Sequence, residues 1–181
     1  MENQTAPLNV TPFVSLLVSE KPSPDLGIHA GVYAPLIGSW KVTTIDHDVN
    51  GDKHTSTGEW HFTWALDGRA IQDVLVNPGS SQRYEGMSRV LNRYGTTIRF
   101  FNEKTGKWKL FWFNPVNSRQ NELEATLLNG NIVQNGKDEA GNLLRWTFSD
   151  ITPASFYWLG EASPDGGATW TTQTEFFAIR I

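Results

Sequence analysis

From Gly38 to Ile181 apolar and polar residues alternate, and a turn signal interrupts the alternation every dozen residues or so. Period two is the signature of strands with one buried and one solvated face. The segments that carry it are roughly 38–49, 54–65, 69–77, 82–92, 96–102, 107–114, 120–128, 131–136, 143–149, 154–162 and 168–180, with one of the two short ones around Asn129-Gly130 readable as an extension of its neighbour. Between them stand Asn50-Gly51, Asp67-Gly68, Tyr94-Gly95, Thr105-Gly106, Asn129-Gly130, Asn135-Gly136, Gly141-Asn142 and Asp165-Gly166-Gly167, the residue types that hairpin turns require. Nearly every connection is therefore a hairpin. A long antiparallel sheet leaves no open edge only by closing on itself, so the expected architecture is all-β, a closed antiparallel up-and-down barrel of about ten strands.

Residues 1–36 follow a different pattern, with Pro7, Pro12, Pro22, Pro24 and Pro35 among them. They read as an arm. Thr11-Pro12 supplies an N-cap and a first helical residue, and Phe13, Leu16, Leu17 and Glu20 keep three-to-four spacing, which predicts one short helix. A second short turn is expected over His29 to Leu36. The division is thus a helical N-terminal arm over 1–36 and a barrel domain over 37–181.

The first hairpin fixes which residues face inward. A two-residue turn at Asn50-Gly51 would set Trp40 opposite His61 and pair His47 with His54. A three-residue loop puts Trp40 and Val42 on the same face as Trp60, Phe62 and Trp64. Burial favours the second register, in which His61 points away from the aromatic face and His47 and His54 lie on opposite faces.

Charge narrows the partners. The chain has 181 residues with 15 Lys and Arg against 19 Asp and Glu, no basic run, and a net charge of −4, a poor balance for nucleic acid. No apolar stretch approaches the roughly 18 residues of a membrane span. The first Lys, Lys21, follows the apolar run at Phe13 to Val18 rather than preceding it, so the expected location is the cytoplasm. The absence of Cys removes thiol chemistry, and no Gly-x-Ser-x-Gly element or glycine-rich phosphate loop follows a strand. A metal on His47 and His54 would need the disfavoured register, so neither metal nor cofactor is expected. The 8 Trp and 10 Phe instead suit an apolar cavity.

Gly38-Ser39-Trp40 opens the first strand and Arg180 lies in the last. This pair resembles the calycin, or lipocalin-like, signature, in which a Trp packs at the closed end of the barrel beneath an Arg. A longer set covers the chain from about residue 36 onward: Gly58-Glu59-Trp60, Leu66-Asp67-Gly68-Arg69, Tyr84-Glu85-Gly86, Thr105-Gly106-Lys107-Trp108, Arg145-Trp146-Thr147-Phe148, and Ser155-Phe156-Tyr157-Trp158 leading to Ser163-Pro164-Asp165-Gly166-Gly167. In order and spacing it resembles a bacterial family of lipocalin-like proteins of unknown function. The resemblance implies an interior cavity and carries no chemistry with it. Haem-carrying barrels of this kind use a glycine-rich first-strand motif and a His near the chain end. The four His here are His29, His47, His54 and His61.

Two expectations about function follow. The first is binding of a small, largely apolar molecule, aromatic or polycyclic, on walls that include Trp60, Phe62, Trp64, Trp112 and Trp158, with Gln72 as a polar contact. The second is an enzyme, a cyclase, isomerase or lyase, acting on such a molecule inside the barrel, with His61, Asp73, Arg89 and Tyr157 as candidate catalytic groups. Polar residues within strand-like segments, namely Gln72, Asp73, Arg89, Arg99, Arg145, Tyr157 and Glu175, must be paired or must bind something polar wherever they face inward. The outer faces of such barrels also leave a homodimer open.

Overall fold

A computed structural model describes residues 11–86 and 92–181. Helix α1 (Thr11–Leu17) leads into a two-residue strand β1 (Val18–Ser19), and 3-10 turns over Pro24–Val32 and Ala34–Leu36 bring the chain to the barrel. The barrel strands are β2 (Gly38–His47), β3 (Lys53–Ala65), β4 (Ala70–Asn77), β5 (Arg93–Asn102), β6 (Lys107–Asn114), β7 (Arg119–Leu128), β8 (Asn131–Lys137), β9 (Leu143–Ser149), β10 (Ser155–Ser163) and β11 (Thr171–Arg180). Each pairs antiparallel with its sequence neighbours and β11 pairs with β2, which closes the ring. β2 ends its pairing at Gly38↔Phe62, and β1 takes over beside β3 at Val18↔Ala65 and Ser19↔Trp64. The arm thereby covers backbone that would otherwise be an edge.

Trp40 lies opposite Trp60 in the register that burial favoured. The loop that sets it is held by Asp48, whose Oδ1 accepts from the backbone N–H groups of Asn50 and Asp52 at 2.8 and 2.9 Å. These bonds to the charged form hold the Asp48 carboxyl below its usual range. Gly51 takes a φ of +86°, a value that suits glycine.

Parity then sorts the barrel. Trp40, Val42, Trp60, Phe62, Trp64, Ile71, Trp108, Leu110, Leu123, Ile132, Phe148, Phe156 and Phe176 are buried inside. At the closed end the Arg180 guanidinium sits 4.0 Å from the Trp40 ring centroid and donates to the carbonyls of Pro35, Ile37 and Pro153. The Trp40 indole donates to Leu36 O at 2.7 Å. Gly38 precedes them because a Cβ there would stand 2.4 Å from Arg180 Nη1.

Two expected turns prove to be strand. Gly95 lies inside β5, where a Cβ would meet Phe113 O at 2.4 Å and the Trp112 ring at 2.5 Å. Gly136 lies inside β8, where a Cβ would meet Glu122 O at 2.4 Å. Both glycines permit close approach rather than chain reversal. The segment expected as a strand over 82–92 is not strand at Gln82 to Gly86, and its residues 87–91 lie outside the described residues. The β4–β5 connection is consequently long, and β5 begins at Arg93. No helix among the described residues is long and apolar enough to cross a membrane.

Candidate functional site

The barrel interior is filled at the closed end and open at the other. Aromatic residues from β2, β3, β9 and β10 fill the closed half, with Trp40 against Phe156 at 4.7 Å and Phe148 against Phe156 at 5.4 Å between ring centroids. Above them a cavity of about 360 Å³ reaches the rim where Arg119, Asp138, Glu139 and Gln173 stand. Its walls are Trp60, Trp112, Trp146, Trp158 and Phe176 with Leu75 and Leu144. Trp158 packs on Phe176 at 4.9 Å and on Trp146 at 5.8 Å. A Cβ on Gly160 would lie 2.6 Å from the Trp158 ring, so the missing side chain is what lets this indole lie across its own strand. Gly95 does the same for Trp112. The wall is thus built from large rings set over glycines, a surface suited to flat apolar molecules.

Two ion pairs stand among these rings, the first half-buried and the second fully buried. Toward the rim, Arg93 donates Nη1 to Asp46 Oδ2 at 3.0 Å and Nη2 to Asp46 Oδ1 at 2.5 Å, and Thr174 Oγ1 donates to the same carboxylate at 2.7 Å. Deeper, Arg99 Nη1 touches Asp73 Oδ2 at 2.5 Å, with side-chain exposures of 2% and 0%. This second contact is close but poorly directed. Asp73 Oδ1 accepts from the Thr97 N–H at 3.2 Å, yet Asp73 Oδ2 and Arg99 Nε and Nη1 all lack a hydrogen bond of good geometry. Arg99 lines the cavity, whereas Asp73 lies behind it and does not. The Trp60 indole N–H is likewise buried with no acceptor.

The arm completes the inner end. Tyr33, fully buried, places its ring 5.3 Å from the Arg99 guanidinium, and its hydroxyl accepts from Gln134 Nε2 at 3.0 Å. Burial pushes the Tyr33 phenol up to about 12, against the nearby Arg99 charge. A phenol whose folded value is raised contributes stability that is complete below its unfolded value near 10 and is lost as pH rises through 12. Unfolding in denaturant at about pH 8 and about pH 11 should therefore show the wild type losing about 1.4 kcal/mol more than Tyr33→Phe, the part of the loss complete by pH 11. At neutral pH the variant should be weaker by about 1–2 kcal/mol, because Gln134 loses its acceptor. An equal alkaline loss in both proteins would remove Tyr33 as the cause.

The residues expected from the sequence divide by parity. Trp60, Trp112 and Trp158 line the cavity. Phe62 and Trp64 face inward but belong to the packed closed half. Gln72 is on the outer face, where its Nε2 donates to Thr96 Oγ1 at 3.0 Å. His61 is also outside, between Ser39 Oγ at 2.9 Å and Glu59 Oε2 at 3.2 Å, as an odd position of β3 must be. Tyr157 lies outside too and donates to Glu175 Oε2 at 2.6 Å. Burial, first, and then this bond raise the Tyr157 phenol far above its usual value, and the same bond is the main reason the Glu175 carboxyl is lowered. Arg89 lies outside the described residues. Among the described residues no cluster of His, Asp and Glu suits a metal. His61, Asp73 and Tyr157 are therefore not brought together.

Among the cavity residues that did not stand out as site residues are Arg93, Thr97, Gln134 and Trp146. Arg99 did as a strand arginine needing a partner, and that is the signal that also applied to Gln134. Arg93 was hidden by the reading of Tyr94-Gly95 as a turn.

The barrel shares its fold with a phycobiliprotein lyase. The structure is that of an S-type phycobiliprotein lyase, CPES, from Guillardia theta, and it covers 84% of this chain and 92% of its own at 12% identity, with a TM-score of 0.59. No protein-family model matches the chain, and no curated protein does. At that identity the likeness carries the barrel fold alone.

Proposed function

We propose that the barrel binds a small, largely apolar molecule, aromatic or polycyclic, in the cavity between Trp60, Trp112, Trp146, Trp158 and Phe176. The observation that carries this reading is the wall itself. Rings set over Gly95 and Gly160 leave about 360 Å³ open rather than filling it. That volume is at the lower end of ligand pockets, which run from roughly 300 to 1,000 Å³. It suits a molecule of a few fused or linked rings. The motif resemblance to bacterial lipocalin-like proteins of unknown function fits the same reading and adds no ligand to it. Cytoplasmic location remains part of this proposal. So does pairing through the outer face of β4 to β6, where Val74, Tyr94, Phe100 and Phe113 are exposed.

A second reading is a lyase, isomerase or cyclase working on such a molecule in the same cavity, and the fold neighbour's activity is what favours it. It draws little from the side chains. His61 and Tyr157 are on the outer face, and both oxygens of Asp73 are turned to Thr97 and Arg99 rather than to the cavity.

Native mass spectrometry of freshly purified protein, followed by denaturing extraction, tests the binding reading. The expected result is a reproducible mass increment that vanishes on denaturation and releases an aromatic compound. If the mass is that of the bare chain, and a panel of two- to four-ring aromatic compounds leaves tryptophan fluorescence unchanged at high micromolar concentration, the binding reading fails.

A further inference from the structure

We propose that the cavity receives an uncharged aromatic ketone or quinone, carbonyl innermost, its oxygen accepting from the Arg99 guanidinium. This inference rests on the binding reading above and goes further by naming the polar group of the ligand. Three observations lead to it.

The first is the inventory of unsatisfied groups. Arg99 Nε and Trp60 Nε1 are buried donors without acceptors, Arg99 Nη1 meets Asp73 Oδ2 at 2.5 Å without hydrogen-bond geometry, and both residues line the cavity. Buried donors left unpaired are costly, and nearly all in folded proteins find partners. A ligand that brings an acceptor into this space relieves that cost. An apolar hydrocarbon filling the same space leaves the donors unpaired and the cost in place.

The second is the charge balance. Arg99 already stands against Asp73, and Arg93 against Asp46, so the interior is neutral before any ligand enters. A carboxylate placed at Arg99 would add an uncompensated negative charge beside Asp73 in a site of low polarity, where burying a charge is far more expensive than burying a carbonyl. A ketone takes the free N–H directions and leaves the pair intact.

The third is reach. Arg99 is held from behind by Asp73 and from below by the Tyr33 and Phe62 rings, 5.3 and 5.5 Å from its guanidinium. It is thus a fixed donor at the inner end, and a flat molecule entering from the rim meets it with its leading edge. The aromatic walls then cover the faces of the rings behind that edge.

Three probes of nearly the same shape separate the alternatives: fluorene, 9-fluorenone and fluorene-9-carboxylate, titrated by quenching of tryptophan fluorescence and by calorimetry. Fluorenone should bind about tenfold or more tightly than fluorene, the scale of one hydrogen bond to a charged donor, and the carboxylate should bind more weakly than the ketone. Bound fluorenone should show its carbonyl stretch at lower wavenumber than in hexane. The double variant Asp73→Leu/Arg99→Met should bring the ketone-to-hydrocarbon ratio toward one.

Equal affinity for fluorene and fluorenone, or an unshifted carbonyl stretch in wild-type protein, overturns this inference while leaving the binding reading standing. Tightest binding by the carboxylate also overturns it. Failure of all three to bind, together with the panel described above, takes down both. The infrared measurement needs only wild-type protein, so it decides the matter even if the double variant does not fold.

Discussion

Replacing Arg99 alone with Met should destabilise the protein by about 3–5 kcal/mol, because it leaves the Asp73 carboxylate buried at 0% exposure with only the Thr97 N–H for company. In a chain of this size that corresponds to a fall in Tm on the order of 10 °C. Asp73→Leu alone should cost a similar amount by stranding the guanidinium. Changing both together should recover most of the loss, since two apolar side chains replace two charges whose mutual contact only partly offsets their removal from water. The test is the set of four denaturation curves. A double variant no more stable than the worse single variant would mean that the pair stabilises the barrel through more than its mutual charge, and that Arg99 is a structural residue rather than a donor held ready. The poor direction of the 2.5 Å contact argues the other way. A pair optimised only for stability would have aligned N–H groups with Asp73, as Arg93 does with Asp46.

That contrast shows how far the sequence could be read. Period-two alternation carried the barrel, because one buried and one wet face on every strand is a property of single positions. The first hairpin carried the parity, because Trp40, Trp60, Phe62 and Trp64 are too large to leave outside. Parity alone then put His61 on the outer face, and the catalytic expectation attached to it sits uneasily with that register. Gly95 and Gly136 defeated the turn reading for a different reason. A glycine that relieves a clash with a ring or carbonyl on the neighbouring strand is indistinguishable in sequence from one that turns the chain. The cavity was less legible still. Its shape depends on β5 beginning at Arg93 and on Trp112 lying across Gly95 of the neighbouring strand, contacts between residues that no local pattern links. Arg99 was visible as an arginine that needed a partner. That the partner would satisfy its charge but not its hydrogen-bonding directions could only be seen once both side chains were placed.

At the opposite end, Trp40→Ala should be among the most damaging single substitutions in the chain, with a loss of about 3–5 kcal/mol. Trp40 is wholly buried, so its removal opens a void beside Phe156 and its cross-strand neighbour Trp60, and it strips the acceptor Leu36 O of its donor. It also uncovers the Arg180 guanidinium, which uses the indole as a platform while bonding Pro35, Ile37 and Pro153. Arg180→Met should therefore cost less in wild-type protein than Trp40→Ala, about 1–3 kcal/mol. It should cost less again once Trp40 is gone, because the two act as one clamp that ties the arm, the β9–β10 turn and the start of β2 together. The coupling expected between residues in direct contact is about 0.5–3 kcal/mol, measured as the shortfall of the double variant from the sum of the singles. Strict additivity would show that the stacked geometry contributes nothing of its own. A measured coupling, with the ketone preference of the far cavity unchanged in Arg180→Met, would separate the two ends of the barrel. One end would hold the fold closed, and the other would be free to meet a ligand.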